Sequence, residues 1–266
     1  MTVIAFLDLD WQKCVSCADE RGTYAMRVFD FFKKLYPLGK SAVAGFSGHG
    51  PYSRELLDDA ELRVGEHADL SIALPQLEEA YSDVRARKAN DLILKRFFIR
   101  PEDLGKLAGT DVSREVMDQL KNGSFFDVVF ATGGYDERRK AIRLYTTGYP
   151  GHSYMQDKYT AIGSGSDRAH RDIGDSLQLM SVEERLSIEP YRGVKILMNA
   201  TQSAWRNEGV GGVTAISMVG EGSVSEVGRK ESNLLNAALF CERRGILDTG
   251  FVDGLFQKII QDNASA

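Results

Sequence analysis

Cysteine is scarce: the chain of 266 residues has three, Cys14, Cys17 and Cys241. So small and odd a number suits a reducing compartment better than a disulfide framework. Cys14 and Cys17 have C-x-x-C spacing, but they fall in a segment patterned as a strand. Residues three apart there point to opposite faces and do not readily share a metal or a disulfide. Histidine is as rare, and His49, His67, His152 and His170 show no H-x-x-x-H pair, so no metal site is expected. Basic charge is lacking too. A formal net charge of −5 and a pI near 5.5 argue against nucleic-acid or anionic-membrane partners, which call for a positive field. No apolar run approaches the roughly 20 residues that span a bilayer. The start Met-Thr-Val-Ile-Ala-Phe-Leu has neither the cationic flank nor the cleavage site of a signal peptide, so the expected location is cytoplasmic. No internal repeat or linker is visible, and no phosphate-loop ending or complete G-x-G-x-x-G follows a strand, so no cofactor is expected.

What is present is an ample apolar fraction, 43%, enough for a substantial core in one domain over 1–266. Residues 2–7 and 14–19 read as a hairpin around the polar turn 8–13, and 33–40 and 41–48 as a strand, turn and strand. Lys33 and Lys34 then face opposite ways. From Ser53 the spacing of Leu56, Leu57, Ala60, Leu62 and Val64 predicts a helix stopping at Gly65, and 75–99 a long amphipathic helix, with Pro101 beyond its end. A short helix over 113–121 completes a helical region at about 53–124. Segments 125–131 and 141–147 predict a second hairpin, and 159–162 another strand leading through Gly163-Ser164-Gly165 into a helix near 168–177. Ser181-Val-Glu-Glu184 has the form of a capping box, 186–205 has helical periodicity despite Pro190 and Gly193, 211–219 reads as a strand, and 230–262 as one or two terminal helices. This order predicts an α+β layered fold, two mainly antiparallel sheets face to face between helical layers.

Several separated fragments carry a resemblance: Thr2 behind Met1, Ala18-Asp19-Glu20-Arg21, Lys33-Lys34-Leu35-Tyr36, Ala44-Gly45-Phe46-Ser47-Gly48, Gly133-Gly134-Tyr135-Asp136 and Ala161 to Ser166. Together they resemble the proteasome β-subunit and HslV family of threonine peptidases over about two thirds of the chain. The resemblance implies the four-layer αββα sandwich of the N-terminal nucleophile hydrolases. It also implies Thr2 as nucleophile and, through its α-amine once Met1 is removed, as base. Lys34 would tune that amine electrostatically, Asp19 would hold Lys34, Gly45 would donate an oxyanion-binding N–H, and Ser164 would relay the proton. Thr23, Phe32, Val43 and Ser47 match substrate-binding positions, suggesting apolar side chains before the cleaved bond. The chain departs from the family at 207–211, Asn-Glu-Gly-Val-Gly, where the Asp-x-x-Ser-Gly segment is replaced.

The physical logic is that a threonine hydroxyl is a weak nucleophile near neutral pH and needs an adjacent base, which an uncharged α-amine can be. A nearby ammonium disfavours protonation of that amine and lowers its pKa. Three readings stay open at this point: a peptidase subunit in a homo-oligomeric ring acting on polypeptides supplied by an ATP-dependent unfoldase, a catalytically silent ring scaffold, and a small-molecule amidase. A second alignment places Thr2-Val3 as the family's third and fourth residues, which leaves no nucleophile.

Overall fold

The first strand, β1 (Ile4–Asp8), is buried along its whole length, which explains why its sequence is apolar from Ile4 to Leu7. In a computed structural model describing residues 2–24, 27–29, 33–122, 127–148, 150–205 and 212–264, with backbone alone at 22–24, 27–29 and 121–122, β1 turns back into β2 (Cys14–Asp19). Asp8 and Asp10 make that turn by accepting the N–H groups of Trp11, Gln12 and Lys13. A short hairpin, β3 (Gly22–Tyr24) and β4 (Arg27–Phe29), follows; it was not expected, its strands being too short to show a period. Then come β5 (Leu35–Pro37) and β6 (Ala42–Gly48).

Helices α1 (Gly50–Val64), α2 (Leu70–Leu92) and α3 (Asp111–Asn122) form the expected helical region, with two short 3₁₀ segments between α2 and α3. The expected span 75–99 is shifted: Asp69 caps α2 by accepting from Ser71 and Ile72, and the helix tolerates Pro75. It ends at Leu92, before a 3₁₀ turn closed by Phe98 in a left-handed conformation. Leu62, expected on the apolar stripe of α1, faces solvent.

The chain continues through β7 (Val128–Asp136), β8 (Ala141–Gly148), β9 (His152–Gln156) and β10 (Tyr159–Ile162) into α4 (Ser166–Gln178). After α5 (Val182–Leu186), whose Ser181–Glu184 capping box forms as read, comes α6 (Pro190–Ala204). Pro190 opens α6, where its missing N–H costs nothing. The last elements are β11 (Thr214–Gly220), β12 (Ser223–Glu226), α7 (Arg229–Arg243) and α8 (Thr249–Ala264).

The strands make two five-stranded antiparallel sheets, ordered β10-β1-β2-β11-β12 and β5-β6-β7-β8-β9. Three hydrophobic clusters follow from strand alternation. Val3, Ala5, Leu7 and Cys17 pack under α4, α6, α7 and α8; Ala42, Ala44 and Phe46 pack under α1 and α2; Ile4, Phe6, Cys14, Leu35 and Val43 fill the space between the sheets. The architecture is thus a four-layer αββα sandwich. Cys14 and Cys17 lie on opposite faces, and burial pushes both thiols far above their usual pKa, so neither is a reactive thiolate. Two missing side chains set the spacing between sheets. A Cβ on Gly133 would lie 2.6 Å from Cδ1 of Phe6, and one on Gly45 2.7 Å from Cγ2 of Ile4.

The terminal helices are tied down by charge as well as packing. Lys195 on α6 donates to Glu242 of α7 at 2.8 Å and to Asp253 of α8. Burial lowers the Lys195 pKa, but its hydrogen bonds to the two carboxylates outweigh that, and the net shift is upward from 10.5. A raised lysine pKa contributes stability that is complete below the unfolded value and is lost as pH climbs through the folded one. Lys195→Met should therefore cost about 2 kcal/mol. The gap between wild type and variant in thermal or urea unfolding should stay flat across neutral pH and close only above 10.5.

Candidate active site

Asp19 is the last residue of β2 and lies opposite the start of β1, where its N–H donates to the Val3 carbonyl at 3.1 Å. Its carboxylate is fully enclosed, and Oδ1 accepts two hydrogen bonds: from Val3 N–H at 2.7 Å and from Lys34 Nζ at 2.9 Å. Lys34, just ahead of β5, is 2% exposed and also donates to the Arg21 carbonyl. Its neighbour Lys33 points out to solvent, where it meets Glu226 at 3.4 Å. Burial pulls the Lys34 pKa down from the ordinary lysine value, and the Asp19 carboxylate pulls it back up. The net shift is downward, with the Asp19 carboxylate opposing it, and a single carboxylate oxygen separates the Lys34 nitrogen from the peptide group joining residues 2 and 3.

The other side of residue 2 is set by the turn after β10. Thr2 N–H donates to Ser164 Oγ at 3.1 Å, and Gly165 N–H donates to the Thr2 carbonyl at 3.1 Å. Gly163 has a φ of 97°, and a Cβ there would fall 2.2 Å from the Thr2 carbonyl oxygen. Glycine at 163 therefore lets the turn wrap this closely around Thr2, while glycine at 165 leaves room for Ala204 and Val3. Ser166 N–H bonds back to the Gly163 carbonyl as the turn enters α4.

Thr2, Asp19, Lys34 and Ser164 are thus brought to one place. Gly45 is not placed as expected. Leu38 N–H bonds to the Ala42 carbonyl and Phe46 N–H to that of Lys34, so even-numbered residues of β6 bond toward β5; Tyr135 N–H to Ser41 and His49 N–H to Asp127 show that odd-numbered ones bond toward β7. The N–H of Gly45 is directed into the β6–β7 ladder opposite Ala131, which corrects its reading as an oxyanion donor. What Gly45 does offer is its missing side chain, facing Ile4. Val43 lies one alternation earlier, wholly within the core between the sheets. Ser47 lies one alternation later, nearly buried, on the same face of β6. Thr23 is on β3, where only backbone is described, and Phe32, Met1 and 207–211 lie outside the described residues.

No protein-family model matches this chain, and no curated protein matches it in sequence. The fold is that of a four-layer αββα sandwich of the sort generally seen in N-terminal nucleophile hydrolases. Two features of the site escaped the sequence: the Arg21 carbonyl, which shares the Lys34 ammonium with Asp19, and the double grip of the Gly163–Gly165 turn on the N–H and carbonyl of Thr2. The first carries no side-chain signal at all. The second was visible only as a turn.

The buried pair is asymmetric in what its loss would do. Removing either partner leaves a charge enclosed and unmatched, so Lys34→Met and Asp19→Leu should each cost about 3–5 kcal/mol, while the double variant should lose less than the sum. Urea unfolding of the four proteins checks this; additive losses would mean that the two charges do not act as a unit.

Proposed function

We propose that this chain is a threonine-dependent peptide hydrolase subunit of proteasome-like type, active once Met1 has been removed. The observation that carries the reading is the pair of contacts around residue 2: Ser164 Oγ on its nitrogen, and Asp19 Oδ1 shared between Val3 N–H and the Lys34 ammonium. Freed of Met1, the nitrogen of Thr2 becomes an α-amine with an ammonium close by and a hydroxyl as hydrogen-bond partner. Like-charge repulsion from Lys34 favours the uncharged amine, which is the form that can accept a proton.

In the first step the Thr2 amine takes the hydroxyl proton as Oγ1 attacks the substrate carbonyl carbon, forming an ester and passing that proton to the departing amine. In the second, water attacks the ester, gives its proton to the same amine, and restores the threonine as the carboxylic product leaves. Ser164 lies on the path of the moving proton. The developing oxyanion needs N–H donors outside the β6–β7 ladder, and on β6 the even-numbered Phe46 and Gly48 direct theirs away from it. Phe46 N–H is held by the Lys34 carbonyl at a long 3.3 Å, a weak bond that a bound oxyanion can replace.

The substrate in this reading is an unfolded polypeptide, the site opens into a chamber formed by a homo-oligomeric ring, and an ATP-driven unfoldase feeds it in the cytoplasm. Intact-mass measurement tests the core of the reading. The mature protein should lack Met1 and gain one adduct from a β-lactone or epoxyketone probe, and Thr2→Ala should gain none. Retained Met1 with no adduct would instead identify a catalytically silent ring subunit.

A further inference from the structure

Asp19 has a strand on each side of it. On the β1 side Val3 supplies an N–H to its carboxylate, and on the β11 side Thr214 lies directly opposite. Asp19 N–H bonds to the Val3 carbonyl and Glu20 N–H to that of Val213, so Asp19 turns its backbone groups toward β1 and pairs with Thr214 without hydrogen bonds between the two. In such a pair the Cα atoms approach to about 4.5 Å, and the side chains stand next to each other on one face of the sheet. That face is the one under the helices. Cys17 and Ile216, one alternation along β2 and β11 from Asp19 and Thr214, belong to the apolar cluster beneath α6, α7 and α8.

Thr214 is fully enclosed in that layer, and its hydroxyl and carbonyl are both held from the helices. The hydroxyl donates to Asn236 Oδ1 at 3.2 Å, and the carbonyl accepts from the Ser232 hydroxyl, both partners being on α7. Gln202 of α6 donates to the same Asn236 oxygen at 2.8 Å, which turns that amide toward Thr214. Ser232 and Gln202 are buried as well. A buried hydroxyl costs free energy unless it is bonded, and a bonded polar network makes its surroundings rigid. A valine at 214 would fill nearly the same space. The hydroxyl does something else: it ties the strand partner of Asp19 to two helices.

We infer that Thr214 is a positioning residue for the Asp19–Lys34 pair, anchored through Asn236 and Ser232 so that the carboxylate stays where it holds the lysine beside residue 2. The consequence for catalysis rests on the reading of Thr2 as nucleophile; the effect on Lys34 does not. The charged groups acting on Lys34 are Asp19 and, through charge alone, Glu20, while Lys33 points to Glu226 at the surface. Loosening Asp19 removes part of the pull that opposes burial, so the Lys34 pKa falls further and less charge is fixed beside the Thr2 amine.

Two variants separate the hydroxyl of Thr214 from its methyl group: Thr214→Val keeps the shape and loses the network, and Thr214→Ser keeps the network and loses the methyl. In the Thr2→Ala protein, where no turnover is involved, NMR titration of the Lys34 Cε signal should move to lower pH with Thr214→Val and stay in place with Thr214→Ser. In the mature protein with Thr2 intact, Thr214→Val should slow β-lactone labelling at neutral pH by roughly three- to tenfold, the size of one hydrogen bond. Its labelling limb should move upward in pH, and Thr214→Ser should follow wild type. A side chain that only fills space would give the reverse order, with serine the more damaging. Should Thr214→Val fail to fold, Asn236→Ala, which leaves Thr214 in place and removes its acceptor, carries the same expectations. A Lys34 titration that responds in a protein whose wild type takes no label would sink the hydrolase reading and support this one. An unmoved Lys34 titration, a labelling limb that stays while Lys34 moves, or an equal response to valine and serine would overturn the assignment.

Discussion

One buried oxygen organises the start of this chain. Asp19 Oδ1 holds the Lys34 ammonium and the Val3 N–H together in a place with no solvent access, and each of the three would be costly to bury without the others. Enclosing an ion pair seldom stabilises a fold compared with apolar side chains of the same size. Its value here is positional: it fixes a positive charge beside residue 2 and fixes residue 2 beside that charge. Strands β1, β2 and β5 come from three separate stretches of sequence, and this pair is what ties their ends together.

The sandwich makes that arrangement possible by letting its sheets come close. Gly45 and Gly133 leave room for Ile4 and Phe6 between the sheets. The sheets are also clipped by main chain, since Ile142 N–H donates to the Trp11 carbonyl at 2.6 Å. Outside, Glu78 of α2 covers the edge of β9 by accepting Ser153 N–H at 2.7 Å, which blunts a strand edge that would otherwise template aggregation.

Much of this was legible in the sequence because local rules and the fold agree. The apolar runs at 2–7 and 14–19, the capping box at Ser181 and the opposite orientations of Lys33 and Lys34 follow from spacing alone. The short strands β3, β9 and β12 were not legible: three to five residues with mixed burial leave no period to detect. Helix α2 was misplaced because Pro75 reads as a boundary, whereas the Asp69 cap starts the helix five residues before that proline. Within the site, Thr2, Asp19, Lys34 and Ser164 were picked out by the family resemblance, since alone a lysine in a strand or a serine in a glycine turn carries no distinctive signal. The direction of the Gly45 N–H could not be read, because it depends on the pairing register of β6 with β5 and β7, and a one-residue change in register reverses it.

The central claim is that the Lys34 charge, held by Asp19, lowers the pKa of the α-amine exposed on Thr2. The most direct test is the pH dependence of the rate at which a β-lactone probe labels Thr2 in mature wild type and in Lys34→Met. The account predicts that wild-type labelling rises with an apparent pKa below the roughly 7.7–8.0 of an unperturbed α-amine. Lys34→Met should move that limb upward, because the Asp19 carboxylate is left uncompensated. A wild-type limb at the unperturbed value, or identical profiles in the two proteins, would contradict it.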